Sequence, residues 1–506
     1  MRVLGERPLN EPPRTRSSRG WTWTGSLASS RGSSSTLTPR RRHPLTRPSL
    51  ATTPIPALAA VLALAACGAS VEPDVERPAG SERWNAVIVV LDALPADALG
   101  CYGYPRPVSP EVDRFAAEAV RFEEAYAAAS YTLASTASLF TGLPPAAHGV
   151  VGLRSNLLAG GHHTVAEALG ELGFRTAAFS CNPHVTEEGG FAQGFGHFRH
   201  YARDRFDRHA VPEALPGDVL AWWDDQAGGR RFLYVHLLPP HQPYDPPPPH
   251  EGLFGAAESP REEGMTDFLV ELDRERGVAA ADPLARRIRD RYDAGVHHAD
   301  AVFGELLAAL DERGAADDTL VILLSDHGEA FGEHGRLLHG STVFREMTRV
   351  PLIARWPGCA PGVRPGLVRT RDLAATLTAL FGAPWPADGR AGEPFLAELL
   401  GPVEPAPRLA LSRSVGNLPV WALRSDRWTL VMQPSSGARQ LFDRRSDPGE
   451  LRDVADGHAR EAGVLAERLA GLLKEHRALA RRLRLEGGEV RAHRESLEAL
   501  GYFGDE

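Results

Sequence analysis

Three apolar runs of this chain end on side chains that can hold a metal or move a proton. NAVIVVLDA reaches Asp92, RFLYVHLLPPH reaches His241, and DTLVILLSDHG reaches Asp326 and His327. One aspartate after a strand is an ordinary cap or turn residue, but three strand ends meeting on ligand-type residues is a different matter. An adjacent oxygen and nitrogen donor, joined by an aspartate from a neighbouring strand, makes a metal site with an open position. One divalent ion, Ca²⁺, Mn²⁺, Mg²⁺ or Zn²⁺, suits that set, with a second ion as an alternative. The Gly-rich stretch GEAFGEHGRLLHG then supplies His334 and His339 on a loop able to fold back over the site. A further stretch, SYTLASTASLFTG, offers Ser130, Thr132 and Ser135 as competing hydroxyls at the entry to a helical pattern. Helix N-termini attract anions through free N–H groups and the macrodipole. Thr132, just before the helix start, is therefore the candidate nucleophile towards phosphorus or sulfur, and Ser135 is the expected N-cap.

The elements that must position these residues alternate between strand-like and helical patterns. The helical stretches are PEVDRFAAEAVRFEEAYA, HTVAEALGELG and RYDAGVHHADAVFGELLAALDERG. Such alternation, with strands apolar throughout, predicts an α/β fold built on a doubly wound, mainly parallel sheet covered on both faces. Ligands of such sheets bind beyond the carboxyl ends of the strands, where Asp92, Asp326 and His327 fall. From about residue 405 the pattern changes to short strands, LALSRS, WALRSDRWTLVMQ and ARQLFDRRSDPGE, followed by a helical segment over about 458–485. The expected organisation is a leader over 1–66, a linker over 67–83, a catalytic domain over 84–400 and a smaller α+β domain over 401–506.

The leader begins Arg-, Ser- and Pro-rich and without periodicity, as disordered segments do. It ends in RRRHPLTRPSL and the apolar IPALAAVLALAAC, too short to span a bilayer but of the length of a secretory signal. LAAC before Gly68 matches a bacterial lipoprotein cleavage box, which makes Cys67 the expected lipidated residue and the protein an exported, periplasmic or cell-surface lipoprotein. Residues 1–66 hold ten Arg and two Glu, a charge of +8, which leaves −17 on the rest of a chain whose total is −9. An acidic body argues against nucleic acid as a partner. Cys101, Cys181 and Cys359 lack metal-ligand spacing and imply no disulfide framework.

Taken together, the blocks VIVVLDALPADALGCYGYPRPVSPEVDRF, STASLFTGLPPAAHGV, HLLPPHQPYDPP, LLSDHGEAFGEHG, HGSTVFREMTRVPLIARWPG and LFDRRSDPGELRDVA occur in an order that resembles the sulfatase family of the alkaline phosphatase superfamily. The resemblance covers about residues 84–455. It implies that Asp92, Asp326 and His327 are metal ligands, and that Thr132 stands at the nucleophile position and also touches the metal. It further implies that His241 and His339 hold substrate oxygens or protonate the leaving group. Asn182, in the place of a family substrate-binding block, is assigned to substrate binding, and His148 to a structural role. His236, His297 and His298 are expected on packing or surface faces. The departures are specific. The family's Cys or Ser that becomes formylglycine is Thr132, and oxidising a secondary alcohol would give a ketone. The second aspartate is Ala93, and Lys474 is the only lysine of the chain. What the resemblance implies is thus a metal-dependent hydrolase of sulfuric or phosphoric esters acting through Thr132 on a sulfated or phosphorylated small molecule or glycan. A phosphoethanolamine-type group transferase and a non-catalytic glycan-binding lipoprotein are the alternatives.

Overall fold

The computed structural model describes residues 75–152, 157–201, 211–226, 228–275, 277–386 and 391–486, all within the unit Cys67–Glu506. The leader, Cys67 and the closing LEALGYFG lie outside the described residues. None of the described helices is long and apolar enough to cross a membrane.

The central sheet contains β1 (Asn85–Leu91), β2 (Val120–Tyr126), β3 (Arg175–Ser180), β4 (His197–His200), β5 (Arg231–Leu237) and β6 (Thr319–Leu324). A two-residue pair, β7 (Ala330–Phe331) and β8 (Leu337–Leu338), forms a separate hairpin. Returning to the main sheet are β9 (Arg349–Val350), β10 (Leu352–Arg355) and β11 (Gly362–Arg369). The order is β11-β2-β10-β6-β1-β5-β3-β4, with β9 beside β2. Pairing is parallel except where β9 and β10 run against their neighbours.

Strand β1 explains the two-faced core. Val87, Val89 and Leu91 join one apolar cluster with Phe115 and Phe303, while Ala86, Ile88 and Val90 join another with Phe140 and Leu377. Alternate residues of a strand point to opposite faces, so a strand apolar at every position must be covered on both. Burying each such side chain contributes about 1.5–3 kcal/mol before entropic costs. The covering helices include α1 (Pro110–Ala117), α2 (Thr132–Thr141), α3 (Pro283–Asp311) and α4 (Leu373–Phe381).

One expectation needs correction. PEVDRFAAEAVRFEEAYA is not one helix: α1 ends at Ala117 and β2 begins at Val120. Val120 and Phe122 face inward between the less buried Arg121 and Glu123, a period of two that the sheet captures between β10 and β11.

The C-terminal part is a four-stranded antiparallel sheet, β12 (Ala410–Arg413), β13 (Trp421–Arg424), β14 (Trp428–Gln433) and β15 (Ala438–Asp443), with helix α5 (Ala459–Glu486). Trp421, Leu423, Leu430 and Leu441 pack against Leu469 and Leu473 of α5.

Candidate active site

Parallel neighbours β1 and β6 deliver the carboxylates. Val90 is in register with Leu324, so Asp92 and Asp326 leave the same edge of the sheet. Their tether is tight. Ser325 Oγ accepts from the Leu94 amide at 3.0 Å and donates to the His327 carbonyl at 2.6 Å. Asp326 Oδ1 accepts from the His327 amide at 2.9 Å and from the Ala93 amide at 3.3 Å. Ala93 takes a left-handed φ of 56°, an unusual conformation for a residue with a side chain, and its carbonyl accepts from the Tyr292 hydroxyl at 2.8 Å.

Thr132 is the first residue of α2, one place further into the helix than the sequence suggested. The N-cap is Tyr131, not Ser135, and it makes no side-chain cap. Ser135 lies a turn inside, where its hydroxyl donates to the Asp326 carbonyl and ties the helix to the β6 strand end. The first-turn amides of α2 have no intrahelical acceptor and remain available to an anion. Thr132 Oγ1 is 3.1 Å from His327 Nε2 and 3.5 Å from Asn182 Nδ2. His327 Nδ1 faces the Gly328 carbonyl at 2.9 Å, which makes Nδ1 the protonated nitrogen and leaves a lone pair on Nε2.

His327 Nε2 is 3.5 Å from both Asp92 Oδ1 and Asp326 Oδ2. Those two oxygens are buried and have no hydrogen-bond partner among the described residues. Burial pushes the Asp92 carboxyl up, but His241, His236 and His327 more than offset it and hold the group well below the usual carboxylate range. The Asp326 carboxyl is driven up, first by burial and then by the Asp92 charge. Two buried carboxylates without a cation between them fit a divalent ion. His236 Nε2 is a competing ligand, since Asp92, His236 and Asp326 each offer an atom within 4.8 Å of the others. His327 Nε2 is the nitrogen that faces both unpartnered oxygens. His236 Nε2 faces Asp92 Oδ2 at 3.2 Å, an oxygen to which Asn182 Nδ2 already donates. Tyr234 O–H meets His236 Nδ1 at 2.9 Å, so both ring nitrogens are satisfied and His236 orients Asp92 from behind.

The rim carries two further imidazoles. His339 lies with its ring centroid 4.3 Å from that of His327 and 4.8 Å from that of His241. His241 Nδ1 faces the Gln242 carbonyl at 2.7 Å, and His339 Nδ1 faces Glu329 Oε1 at 3.0 Å. Burial pulls the His339 pKa well below its ordinary value and the nearby His327 adds to this, while burial pushes the Glu329 carboxyl up to about 8.

The structure thus brings Asp92, Thr132, Asn182, His241, Asp326, His327 and His339 together, and adds two residues that sequence reasoning missed. His236 is fully buried and was expected to be packing; its register opposite Val90, one step short of the β1 end, is the signal that places it beside Asp92. Glu329 had no signal of its own, because its partner His339 is brought to it by the β7–β8 hairpin. His148 is structural, with Nε2 2.9 Å from Ser138 Oγ and Nδ1 accepting from the Val150 amide. His334 stacks on Phe344 and faces Glu346, outside the cluster. His297 and His298 lie on α3, where His297 pairs with His250.

The C-terminal sheet reaches this site through its first strand. Ala129 and Arg413 form a parallel bridge, the Ser130 amide donates to the Arg413 carbonyl at 3.0 Å, and the Val415 amide donates to the Gly340 carbonyl at 2.8 Å. The segments leading to Thr132 and following His339 are held by the same strand end.

The sulfatase family model matches residues 84–383. The arylsulfatase of Clostridium perfringens is 25% identical over 358 residues, covering 58% of this chain and 74% of its own. Two solved structures share the fold. The phosphonate monoester hydrolase of Agrobacterium radiobacter has a TM-score of 0.64 at 22% identity, covering 78% of this chain and 96% of its own. A protein solved with its substrate D-glucosamine-2-N,6-O-disulfate has a TM-score of 0.65 at 19% identity, covering 79% of this chain and 98% of its own.

Proposed function

The chain belongs to the sulfatase family of ester hydrolases, and from that premise we propose that it hydrolyses sulfuric esters of a small molecule or glycan with Thr132 as the nucleophile. The observation that carries the reading is the position of Thr132 Oγ1 at a helix N-terminus, 3.1 Å from His327 Nε2, which itself faces the two unpartnered carboxylate oxygens. Asp92, Asp326 and His327 would hold the divalent ion, with Thr132 beside it; when bound, the ion supplies positive charge that acidifies an alcohol and neutralises sulfuryl oxygens.

The remaining work belongs to this chain's side chains. The first-turn amides of α2 and Asn182 Nδ2 orient the sulfuryl oxygens so that Thr132 Oγ1 lies in line with the bond to be broken. The Oγ1–S bond forms as the S–O bond to the alcohol breaks, and the hydroxyl proton is given up to solvent. His339 or His241 gives a proton to the departing oxygen. Water then attacks the sulfur of the sulfo-threonine, the imidazole that lost its proton takes one from that water, and the Oγ1–S bond breaks as Oγ1 takes a proton back from solvent and sulfate is released. No oxidation of the nucleophile is needed, in keeping with a threonine that cannot become an aldehyde.

The test compares the Mn²⁺-loaded wild type with Thr132→Ala on 4-nitrophenyl sulfate, phosphate and phenyl phosphodiester. The expected result is preference for the sulfate and a loss of roughly 10³-fold or more in the variant, the scale found when a nucleophile is removed. Full turnover by Thr132→Ala with the ion still bound would overturn the nucleophile, and preference for the phosphodiester would overturn the sulfate.

A further inference from the structure

Carboxylates account for most of the buried arginines. Arg424 meets Glu450, Arg369 meets Asp372, Arg408 meets Glu398 and Arg291 meets Asp245. Arg413, at the end of β12, is 4% exposed and meets no carboxylate among the described residues. Its Nη2 donates to the Gly416 carbonyl at 2.8 Å, and its Nη1 lies 3.5 Å from the Val151 carbonyl. The guanidinium carbon stands 5.6 Å from the centre of the Trp421 ring. The Nε–H is buried and has no partner among the described residues. Arg364, which also lacks a carboxylate, gives its Nε–H to the Glu398 carbonyl at 2.8 Å. A buried cation left with neutral acceptors is costly, and so is a buried donor left with none.

Tyr131 carries a second donor of this kind. Its hydroxyl is buried and has no partner among the described residues. Burial pushes that hydroxyl up to about 12 against the opposing pull of the Arg413 charge, so the two groups are neighbours and the phenol keeps its proton. The bridge between Ala129 and Arg413, with the Ser130 amide on the Arg413 carbonyl at 3.0 Å, brings them together. Both lie beside the nucleophile. Tyr131 is the N-cap of α2 and directly precedes Thr132. A side chain at Gly340, the residue after His339, would meet Val415 at 3.5 Å and Tyr131 at 3.9 Å. Thr132 is itself 4% exposed, so depth is no bar to a ligand at Arg413.

Resting on the ester-hydrolase reading, we propose that Arg413 and Tyr131 form a second anion site, which takes another sulfate or a carboxylate of the same substrate molecule. The Arg413 Nε–H and the Tyr131 O–H are its donors, and the guanidinium supplies the charge. The scissile sulfuryl group sits at Thr132, and the second anion sits one residue back along the chain. The preferred substrates are therefore polyanionic, a disulfated sugar or a sulfated sugar joined to a uronic acid.

The experiment uses the full chain, loaded with Mn²⁺ and carrying Thr132→Ala, so that esters bind without turnover. Calorimetry compares alkyl monosulfates with α,ω-alkanediol disulfates and ω-carboxyalkyl sulfates of graded length, a flexible series that scans the spacing between the two sites. Affinity should pass through a maximum at one length, roughly 10–100-fold above the matched monosulfate, the scale of a charged hydrogen bond. The series with the higher maximum tells a sulfate from a carboxylate as the second group. Adding Arg413→Met should remove the maximum, and adding Tyr131→Phe, which keeps the ring, should lower it by roughly a few-fold. A second anion that adds nothing at any length, or a maximum that survives Arg413→Met, overturns the site. Equal weakening of monosulfates and disulfates by Arg413→Met would make the arginine a brace for its own turn and overturns the site as well. Should Arg413→Met fail to fold by circular dichroism, Tyr131→Phe decides, and an unchanged maximum counts against the site. Turnover of 4-nitrophenyl sulfate by the chain with its native Thr132 is read separately, so failure of the ester reading is told apart from failure of this one.

Discussion

Two sets of buried carboxylates in this molecule are treated in opposite ways. Under the C-terminal sheet, Glu450 is 1% exposed and meets Arg424, itself 0% exposed, through contacts of 3.2 Å to each carboxylate oxygen. The same Glu450 accepts the Arg345 amide at 2.9 Å, and Arg424 donates to the Val343 carbonyl at 2.7 Å. At the β1 and β6 ends, Asp92 and Asp326 are as deeply buried, but among the described residues each keeps one oxygen unpartnered and neither meets a guanidinium. The fold can supply an arginine to a buried carboxylate and does so at Glu450 as at Asp293, Asp372 and Glu398. At the strand ends, where two like charges are set side by side, no arginine is supplied among the described residues, which leaves those oxygens open to a cation.

The contrast can be broken from the functional side first. Asp326→Asn should cost roughly 10³-fold or more in turnover, since the proposed mechanism gives it an ion whose charge stabilises the transition state. Its stability should move the other way. Removing one of two like buried charges should raise the melting temperature of the chelator-treated protein. Adding Mn²⁺ at about 100 times Kd should stabilise the wild type by about 2.7 kcal/mol and the variant by much less, as read from thermal unfolding.

On the structural side, Arg424→Met should destabilise the protein by about 3–5 kcal/mol in urea unfolding, because Glu450 would then be a buried charge without its cation. Activity per folded molecule should be near wild type. Equal damage to stability by Asp326→Asn and Arg424→Met would erase the distinction between the two regions.

A third carboxylate sharpens it. Asp300 is buried without a cation, but accepts the Val112 amide at 2.7 Å and the Glu111 amide at 3.0 Å, at the start of α1. Burial outweighs those amides and pushes its pKa up to about 7, from an ordinary 3.8. A carboxyl raised on folding stabilises the protein fully below about pH 4, and that stabilisation is lost as pH rises through 7. The unfolding free energy should therefore fall between pH 5 and pH 8 by on the order of 1–2 kcal/mol through Asp300. Asp300→Asn should flatten the profile by that amount, and an unchanged profile would mean that the two amides already compensate the charge.

The meeting of Asp92, Asp326 and His327 was legible in the sequence because strand ends announce themselves. An unbroken apolar run has to be a covered strand, and the first polar residues after NAVIVVL and TLVILL must emerge at its edge. The antiparallel C-terminal strands were legible for a similar reason, being short, punctuated by turn residues and followed by a long helical pattern. What stayed hidden depends on pairing between distant segments. VRFEEAY reads equally as the tail of a helix until β10 and β11 offer it edges. His236 sits in a run so apolar that packing is the natural expectation, and only the register with β1 turns it towards Asp92. Glu329 acquires its partner from a hairpin of two residues per strand, too short to leave a periodic trace.

The bridge between Ala129 and Arg413, with the Val415–Gly340 contact beside it, makes the small sheet a clamp on both working loops of the large one. Thr132 and His339 are thereby spaced by a part of the chain that contributes neither. Such a protein cannot exchange its C-terminal portion as a detachable specificity module. A graft that moved this strand would reset the gap between Thr132 and His339.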